Sequence, residues 1–516
     1  MGQTLLVNER HTVSPPSQVN AAGGFRVGVD PAGCVFPIEN HDDACRIWRD
    51  AGVKRRVLIH IDAHHDMWWI ADARSLTIAS FICMALREEL VRDVYWVVPD
   101  ASLKSRRARR PILRHIRRLL EDYPGPRSDV SLTPSLISTK VLGKRIIVCG
   151  VGSLPRVEEE VLLDIDVDYL TTPAVSYGQR DKCGPLPWRW PQELLAKLRE
   201  QRLRADIVTI AYSVEGGYTP LEWKYLGDEL ATRLRRPDDR EATRGFETVR
   251  DAAETAHKGD IASAERKYRN AMDLAPVSAA ACFHLAHLYA GIGRIEEGRG
   301  LYQRALEIDP TYRTPYNCRG LQYYGSREFF EAERVYRRTV ALDPKDAYAY
   351  LGLGRLEARR RNWTEAEALL RRSLALNAKV IDAYRALGDV LVRLGRTAEA
   401  IEAYEQSLKL AMHGYKPLLG ASATDPGEHR ILDTDHLLTH AKLARAHERQ
   451  GELGRAANGY RMSIRGGNRD AGVALRLAWL SLKQRQWRAA AAAAWDAGRK
   501  ALRHGAAGAW LFLRFT

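Results

Sequence analysis

Residues 56–66 read RVLIHIDAHHD, an apolar run that ends in a cluster of acids and imidazoles. Its branched apolar residues predict a buried β-strand, which puts the polar cluster at the carboxyl end of that strand. Because alternate side chains of an extended segment share a face, Asp62, His64 and Asp66 are predicted to point the same way. Taken singly, each of these residues could also lie in a solvent-exposed loop or form only local hydrogen bonds.

Five further apolar runs alternate with helical stretches in the first half of the chain: CVFPIE (34–39), VYWVVPD (94–100), RIIVCG (145–150), EVLLDIDVDYL (160–170) and DIVTIAYS (206–213). This order predicts an α/β fold with a mostly parallel sheet and flanking helices. Open parallel sheets bind ligands at the carboxyl ends of their strands. Polar residues stand at these ends, namely His41, Asp164, Asp166, Asp168 and Glu215.

A cluster of carboxylates and imidazoles at one edge of the sheet would repel or stay protonated without a cation. Two divalent ions would resolve this conflict. Carboxylates that can bridge, together with one imidazole per ion, suit manganese and leave zinc and iron open. The sequence therefore predicts two Mn²⁺ ions. The polar residues are interpreted as metal ligands rather than isolated loop residues because they occur together at the ends of several strands.

The second half of the chain repeats every 34 residues, marked by Ala-Pro at 275–276 and Asp-Pro at 309–310 and 343–344. The pattern resembles the tetratricopeptide repeat, and it predicts an all-α solenoid whose concave face binds a peptide or protein. Five clear units are expected, followed by an insertion at 413–434 and two weaker units. The predicted organisation is 1–232 for the α/β domain, 233–242 for a linker, 243–501 for the array and 502–516 for a tail.

The bulk composition limits the classes of partner. The net charge is +15, and residues 106–118 (RRARRPILRHIRR) are strongly basic. Ile112, Leu113 and Ile116 recur there at helical spacing, which favours a basic amphipathic surface helix over a nucleic-acid site. No apolar run reaches the roughly 20 residues that span a bilayer. The start of the chain has no signal-peptide core, so a cytoplasmic protein without membrane contact is expected.

Four short motifs resemble those of the ureohydrolases, meaning arginase and its relatives in the arginase/deacetylase superfamily. They are E-N-H at 39–41, D-A-H-H-D at 62–66, D-I-D-V-D at 164–168 and S-V-E at 213–215, the last followed by GGYTP. The resemblance covers roughly residues 30–230, and it is closest to a branch that includes peptide arginases. It implies that one metal is held by His41 and Asp66 and the other by His64 and Asp168, with Asp62 and Asp166 touching both.

The same resemblance implies an activity. A manganese-dependent hydrolase would remove urea from arginine side chains of a ribosomally made precursor peptide, leaving ornithine, and Glu215 would accept the guanidinium group. Arginases have a further histidine after the DAHxD segment, which this chain lacks, so His65 or His60 could serve in proton transfer. His60 alternates with apolar residues and is expected to be structural, which leaves His65 as the candidate. Trp68 and Trp69 follow directly, and one of them is expected to line the mouth of the site and contact substrate.

Three other functions remain open from the sequence. A ureohydrolase could act on a small free guanidine such as arginine or agmatine. A zinc deacetylase of the same superfamily is disfavoured, because Asn40 precedes His41 where deacetylases carry a His-His pair. A repeat scaffold with a vestigial hydrolase domain would have no activity at all.

Overall fold

The protein was analysed as a computed structural model, which describes residues 26–27, 34–69, 79–125, 128–176, 183–214, 218–274, 276–312, 318–325, 327–414, 434–465 and 470–503. Contacts between residues divide the chain into two units. The first unit ends at Glu328 and the second begins at Phe329.

Nine strands form one sheet within the described part of the first unit: β1 (Arg26–Val27), β2 (Val35–Ile38), β3 (Arg56–Ile61), β4 (Val91–Val97), β5 (Ser131–Leu132), β6 (Leu136–Val141), β7 (Lys144–Cys149), β8 (Glu160–Asp166) and β9 (Arg204–Ala211). Their order is β1-β9-β8-β3-β4-β7-β6-β5, and β2 also pairs with β9. Of the described pairs, β5–β6 and β6–β7 are antiparallel and the rest are parallel. The predicted α/β fold with a mostly parallel sheet is confirmed.

Strand β3 lies in the middle of this sheet, between β8 and β4. Its apolar residues Leu58, Ile59 and Ile61 are fully buried, as are Leu162 and Leu163 of β8. A parallel strand covered on both faces needs a nearly continuous apolar run, which explains the sequence of β3. Because β3, β8 and β9 run in parallel, the polar residues that follow them meet at one edge.

Six helices accompany the sheet in the described residues: α1 (Asp42–Asp50), α2 (Phe81–Arg87), α3 (Arg110–Asp122), α4 (Asp168–Thr171), α5 (Pro191–Glu200) and α6 (Tyr225–Arg235). Helix α3 is the predicted basic amphipathic helix. It begins at Arg110 rather than at 106, and it buries Ile112, Ile116 and Leu119. The amphipathic interpretation of this basic segment is therefore confirmed.

The repeat region consists of paired helices. The first unit holds α7 (Arg240–His257), α8 (Ile261–Ala271), α9 (Ser278–Gly291), α10 (Ile295–Ile308) and α11 (Cys318–Gly325). The second holds α12 (Phe329–Leu342), α13 (Ala347–Arg360), α14 (Trp363–Leu376), α15 (Ile381–Arg393), α16 (Thr397–Gly414), α17 (Thr434–Arg449), α18 (Leu453–Arg465), α19 (Ala471–Lys483) and α20 (Trp487–Arg503). An all-α C-terminal region is thus confirmed. Most of the predicted insertion (415–433) and of the predicted tail (504–516) lies outside the described residues.

The first repeat helices pack directly against the α/β domain. The Lys224 ammonium lies 2.7 Å from an Asp309 carboxylate oxygen, and His284 Nε2 lies 2.8 Å from the Glu222 carbonyl oxygen. The predicted linker overlaps the end of α6 at Arg235 and the start of α7 at Arg240. The contacts therefore join this part of the array to the sheet domain, and the unit boundary falls later, within the repeats. No helix in the described ranges has the length and apolar character needed to cross a membrane.

Candidate metal centre

The polar segment after β3 is held in place by its own backbone. The Asp62 N–H donates to the Val97 carbonyl at 3.1 Å, and the Trp96 indole N–H donates to the Asp62 carbonyl at 3.0 Å. Asp66 adopts a left-handed backbone with φ of +48°. Aspartate tolerates this conformation better than most residues, but it still costs energy, and such backbone concentrates at functional sites.

His41 stands at the start of α1, next to the carboxyl end of β2. Its ring stacks on Phe81, with 5.3 Å between centroids. Its Nε2 lies 2.5 Å from Oδ2 of Asp166, the last residue of β8. The same Asp166 oxygen accepts a hydrogen bond from the Ser213 hydroxyl at 2.7 Å. Polar side chains at the ends of β2, β8 and β9 therefore lie in contact with one another.

Asp168, the first residue of α4, faces the segment after β3. Its Oδ2 lies 2.9 Å from His64 Nδ1, and that nitrogen is 3.3 Å from Asp62 Oδ1. The Asp168 N–H donates to Asp166 Oδ1 at 2.7 Å, which ties the two aspartates of the DxD segment together.

Two groups of candidate ligand atoms share Asp62. One contains His41, Asp62 and Asp66, and the other contains Asp62, His64 and Asp168, with the atoms of each group within 4.8 Å of one another. Asp166 adjoins the first group through His41. The structure thus brings all six predicted ligands into one cluster. A third group joins His41 to His60 and Asp164.

The cluster suits cations chemically. Asp62 and Asp168 are fully buried, yet Asp62 Oδ2 and both carboxylate oxygens of Asp168 accept no hydrogen bond from the described residues. Leaving a buried charged acceptor unsatisfied is costly. Carboxylates with free oxygens beside imidazole nitrogens are the donors that divalent metals such as manganese bind. These residues therefore fit the two ions expected from the sequence.

The pKa values also indicate an excess of negative charge among these buried carboxylates. Burial, with the neighbouring Asp62 charge, raises the pKa of Asp66 to about 7. Burial likewise raises the pKa of Asp168 well above its ordinary value, helped by Asp166 and Asp62. Burial opposes ionisation of Asp62 too, but His60 and His64 hold its pKa well below the usual range. Bringing all these carboxylates to the ionised state requires positive charge in the cluster.

Three of the predicted site residues that the structure describes, His65, Trp68 and Trp69, are not members of the ligand groups. The His65 Nδ1 accepts the Met67 N–H at 3.0 Å, and its ring contacts Trp68, Trp96 and His115. Its role in proton transfer stays a prediction. The Trp69 ring packs 5.0 Å from that of Tyr123. Neither tryptophan shows a contact that tests its predicted place at the mouth.

Glu215, the predicted guanidinium acceptor, lies outside the described residues.

Several residues that surround the ligands were not among the predicted ligands. Thr209 donates to Asp164 Oδ1 at 2.5 Å, and His60 Nδ1 lies 2.8 Å from Asp164 Oδ2. Ser213 bonds to Asp166 from a left-handed backbone with φ of +52°. His60 lies two residues before Asp62, so the alternation that places Asp62 and His64 on one face also includes His60. This spacing was the sequence signal that could have identified it. Thr209 carries no such signal, because its role depends on the register between strands.

The cluster opens on the side of His64, the one partly exposed member, whose side chain is 29% exposed. The Tyr218 ring lies edge-on to the His64 ring, with 5.0 Å between centroids, and Tyr218 itself is 38% exposed. The other five proposed ligands are at most 8% exposed. Within the described residues, the exposed side of the cluster is therefore the side of His64 and Tyr218.

Comparisons with known proteins identify the repeats. Tetratricopeptide-repeat family models match residues 256–316 and 345–412, so the helix pairs there are repeats of this class. No curated protein matches the chain.

Solved structures of repeat proteins also resemble it. One described as the functional characterisation of Pseudomonas aeruginosa pilF is 20% identical, with a TM-score of 0.32, and the match covers 46% of this chain and 97% of that one. The Cut9–Hcn1 hetero-tetramer of the APC/C is 15% identical, with a TM-score of 0.33, over 59% of this chain and 54% of that one. YrrB, described as a TPR protein with an unusual peptide-binding site, is 16% identical, with a TM-score of 0.28. The match covers 38% of this chain and 91% of that one.

Proposed function

We propose that this protein is a manganese-dependent hydrolase that removes urea from arginine side chains of a ribosomally made peptide, leaving ornithine. The observation that carries the proposal is the pair of donor groups that meet at the buried Asp62, with only His64 partly exposed. Isolated acidic clusters are common, but two groups with one imidazole each and a shared carboxylate match the needs of a two-metal site.

The roles of the chain's residues follow from their positions. His41 and Asp66 would hold one ion, His64 and Asp168 the other, and Asp62 with Asp166 would contact both. When bound, two such ions supply Lewis acidity and lower the pKa of water. Phe81 and Ser213 hold His41 and Asp166 in place.

The net reaction consumes one water molecule. Its oxygen becomes bonded to the guanidinium carbon, and the bond from that carbon to the side-chain nitrogen breaks. That nitrogen leaves as the ornithine amine, and the carbon departs in urea. A cationic substrate fits an entrance formed by an acidic cluster and the aromatic face of Tyr218, because aromatic rings attract cations.

The repeats favour a peptide over a free amino acid as substrate. Tetratricopeptide repeats present an extended surface that binds peptides or proteins. A free arginine would need no such surface. We therefore assign to the array the binding of the precursor peptide or of a partner protein.

The direct test is to incubate the purified chain with Mn²⁺ and an arginine-containing peptide. Urea should appear, and the peptide should lose the mass of CH₂N₂ for each arginine changed. Parallel reactions with free arginine and with agmatine test the small-guanidine alternative. The Asp62→Asn variant and a chelator serve as controls, and both should abolish urea release. Turnover of free arginine alone would replace the peptide assignment, and no metal binding with no turnover would support the scaffold.

A further inference from the structure

We propose that His60 and Asp164 form a buried positioning pair that fixes two of the proposed metal ligands, His41 and Asp62. The inference rests on the proposed function only in requiring that the cluster binds a divalent metal. His60 and Asp164 are both fully buried, and neither belongs to the two donor groups that share Asp62.

The register between neighbouring strands places His60 and Asp164 side by side. His60 of β3 lies opposite Asp164 of β8, and Asp164 lies opposite Thr209 of β9. Three side chains on neighbouring strands therefore form one row across the sheet. Within it, Asp164 accepts the Thr209 hydroxyl at 2.5 Å through Oδ1, and its Oδ2 lies 2.8 Å from His60 Nδ1. Asp164 is thus anchored from both sides.

Each end of the pair faces a different proposed ligand. Asp164 Oδ2 lies 3.1 Å from His41 Nδ1, which directs the opposite ring nitrogen of His41 towards Asp62 and Asp166. His60 Nε2 lies 3.2 Å from Asp62 Oδ2. One buried pair therefore contacts an imidazole of the first donor group and the carboxylate that both groups share.

Such outer partners fix the orientation of metal-binding groups. A carboxylate at the second nitrogen of a ligand histidine sets its tautomer and ring angle, and removing it typically lowers metal affinity. Among the described residues, His41 Nδ1 has no well-aligned hydrogen-bond partner, although Asp164 is close. We expect that contact to become a hydrogen bond when His41 Nε2 binds a cation.

The test measures Mn²⁺ binding by calorimetry on the metal-free full chain, independently of any activity. Asp164→Asn keeps the side-chain shape, and His60→Leu removes both ring nitrogens. Each should weaken Mn²⁺ binding by about 10- to 100-fold. His60→Asn, whose amide can donate to Asp164 as Nδ1 does, should recover part of the loss. The visible spectrum of the Co²⁺-loaded protein should change in Asp164→Asn as the environment of His41 changes.

Asp93→Asn is the matched control. Asp93 lies near the start of β4 and is ion-paired with Arg145 at 2.8 Å, so its loss lowers stability without touching the cluster. Its Mn²⁺ affinity should equal that of the unaltered chain. The inference is overturned if Asp164→Asn and His60→Leu bind Mn²⁺ as tightly as Asp93→Asn does. If the unaltered chain binds no divalent ion, the metal site of the proposed function fails, and this inference fails with it.

Discussion

Asp62 is the residue at which the local interactions of the centre converge. Its two carboxylate oxygens approach His41, His60 and His64 at 3.2–3.6 Å, and its backbone is held by β4. It is fully buried, yet His60 and His64 hold its pKa well below the usual range. At this scale the sequence predicted which side chains meet, because alternation along a strand places side chains on one face.

Tyr218 offers a residue-scale prediction on substrate recognition. Tyr218→Leu removes the aromatic face beside His64, and should raise the KM for an arginine peptide by about tenfold or less, as expected for one cation–π contact. The kcat should change little, because Tyr218 stands outside the ligand set. Steady-state kinetics would measure both constants, with Tyr218→Phe, which keeps the ring, as the control. An unchanged KM in the leucine variant would remove Tyr218 from the entrance.

The residue scale also shows what local sequence could not provide. His60, Thr209 and Asp164 form one row only because β3, β8 and β9 pair in a particular register. Register is a property of paired strands, so no single segment contains it. The contacts of His65 likewise follow from the helix that carries His115, far along the chain.

The elements were predictable to different degrees. The six apolar runs all became strands, because buried parallel strands require them. The hairpin of β5 and β6 was not singled out, since an antiparallel edge pair buries one face and its apolar run is interrupted. The repeat helices followed from the period of their small and aromatic residues.

Close helix packing in the repeats gives an element-scale prediction. A Cβ added at Gly388 in α15 would lie 2.6 Å from the Tyr404 ring of α16. Gly388→Ala should therefore destabilise the fold by about 1–3 kcal/mol, although alanine is the better helix former. Gly300→Ala in α10, where the added atom meets nothing within 4 Å, should stabilise it by about 0.5–1 kcal/mol. Urea denaturation would compare the two, and equal shifts would contradict the packing argument.

The pairing of β4 with β7 predicts a dependence on pH. Burial opposes ionisation of Asp93, but hydrogen bonds from Arg145 outweigh it and lower the pKa of Asp93. A folded-state pKa below the unfolded value means that this stabilisation is present above about pH 4 and is lost as the pH falls further. Asp93→Asn should reduce the slope of unfolding free energy against pH in this acidic range. An unchanged slope would show that the pair does not contribute.

At the scale of the whole molecule, the boundary given by residue contacts differs from the boundary given by the sequence pattern. The change from α/β pattern to repeats occurs near residue 243, whereas the first contact unit continues to Glu328. The reason lies in contacts such as Lys224 with Asp309 and Glu222 with His284. Periodicity reveals which helices repeat, but it does not show which of them pack against another domain.

His284 tests this attachment. Its ring contacts Trp223 and Tyr225 and bonds to the Glu222 carbonyl, so His284→Ala should lower stability by about 1–3 kcal/mol. His287→Ala is the control, because the ring contacts described for His287 lie within the repeats, with Phe283 and Tyr302. Chemical unfolding of the full chain, followed by tryptophan fluorescence, should show the larger loss for His284. A larger loss for His287 would contradict the attachment.

The central claim, a centre of two metals that share Asp62, is tested most directly by counting ions. The metal-free chain would be dialysed against Mn²⁺, and the bound metal per chain measured by elemental analysis. Two ions are expected for the unaltered protein, and Asp62→Ala should lose at least one of them, because its carboxylate belongs to both donor groups. A chain that binds no divalent metal, or an Asp62→Ala variant that keeps both ions, would contradict the claim.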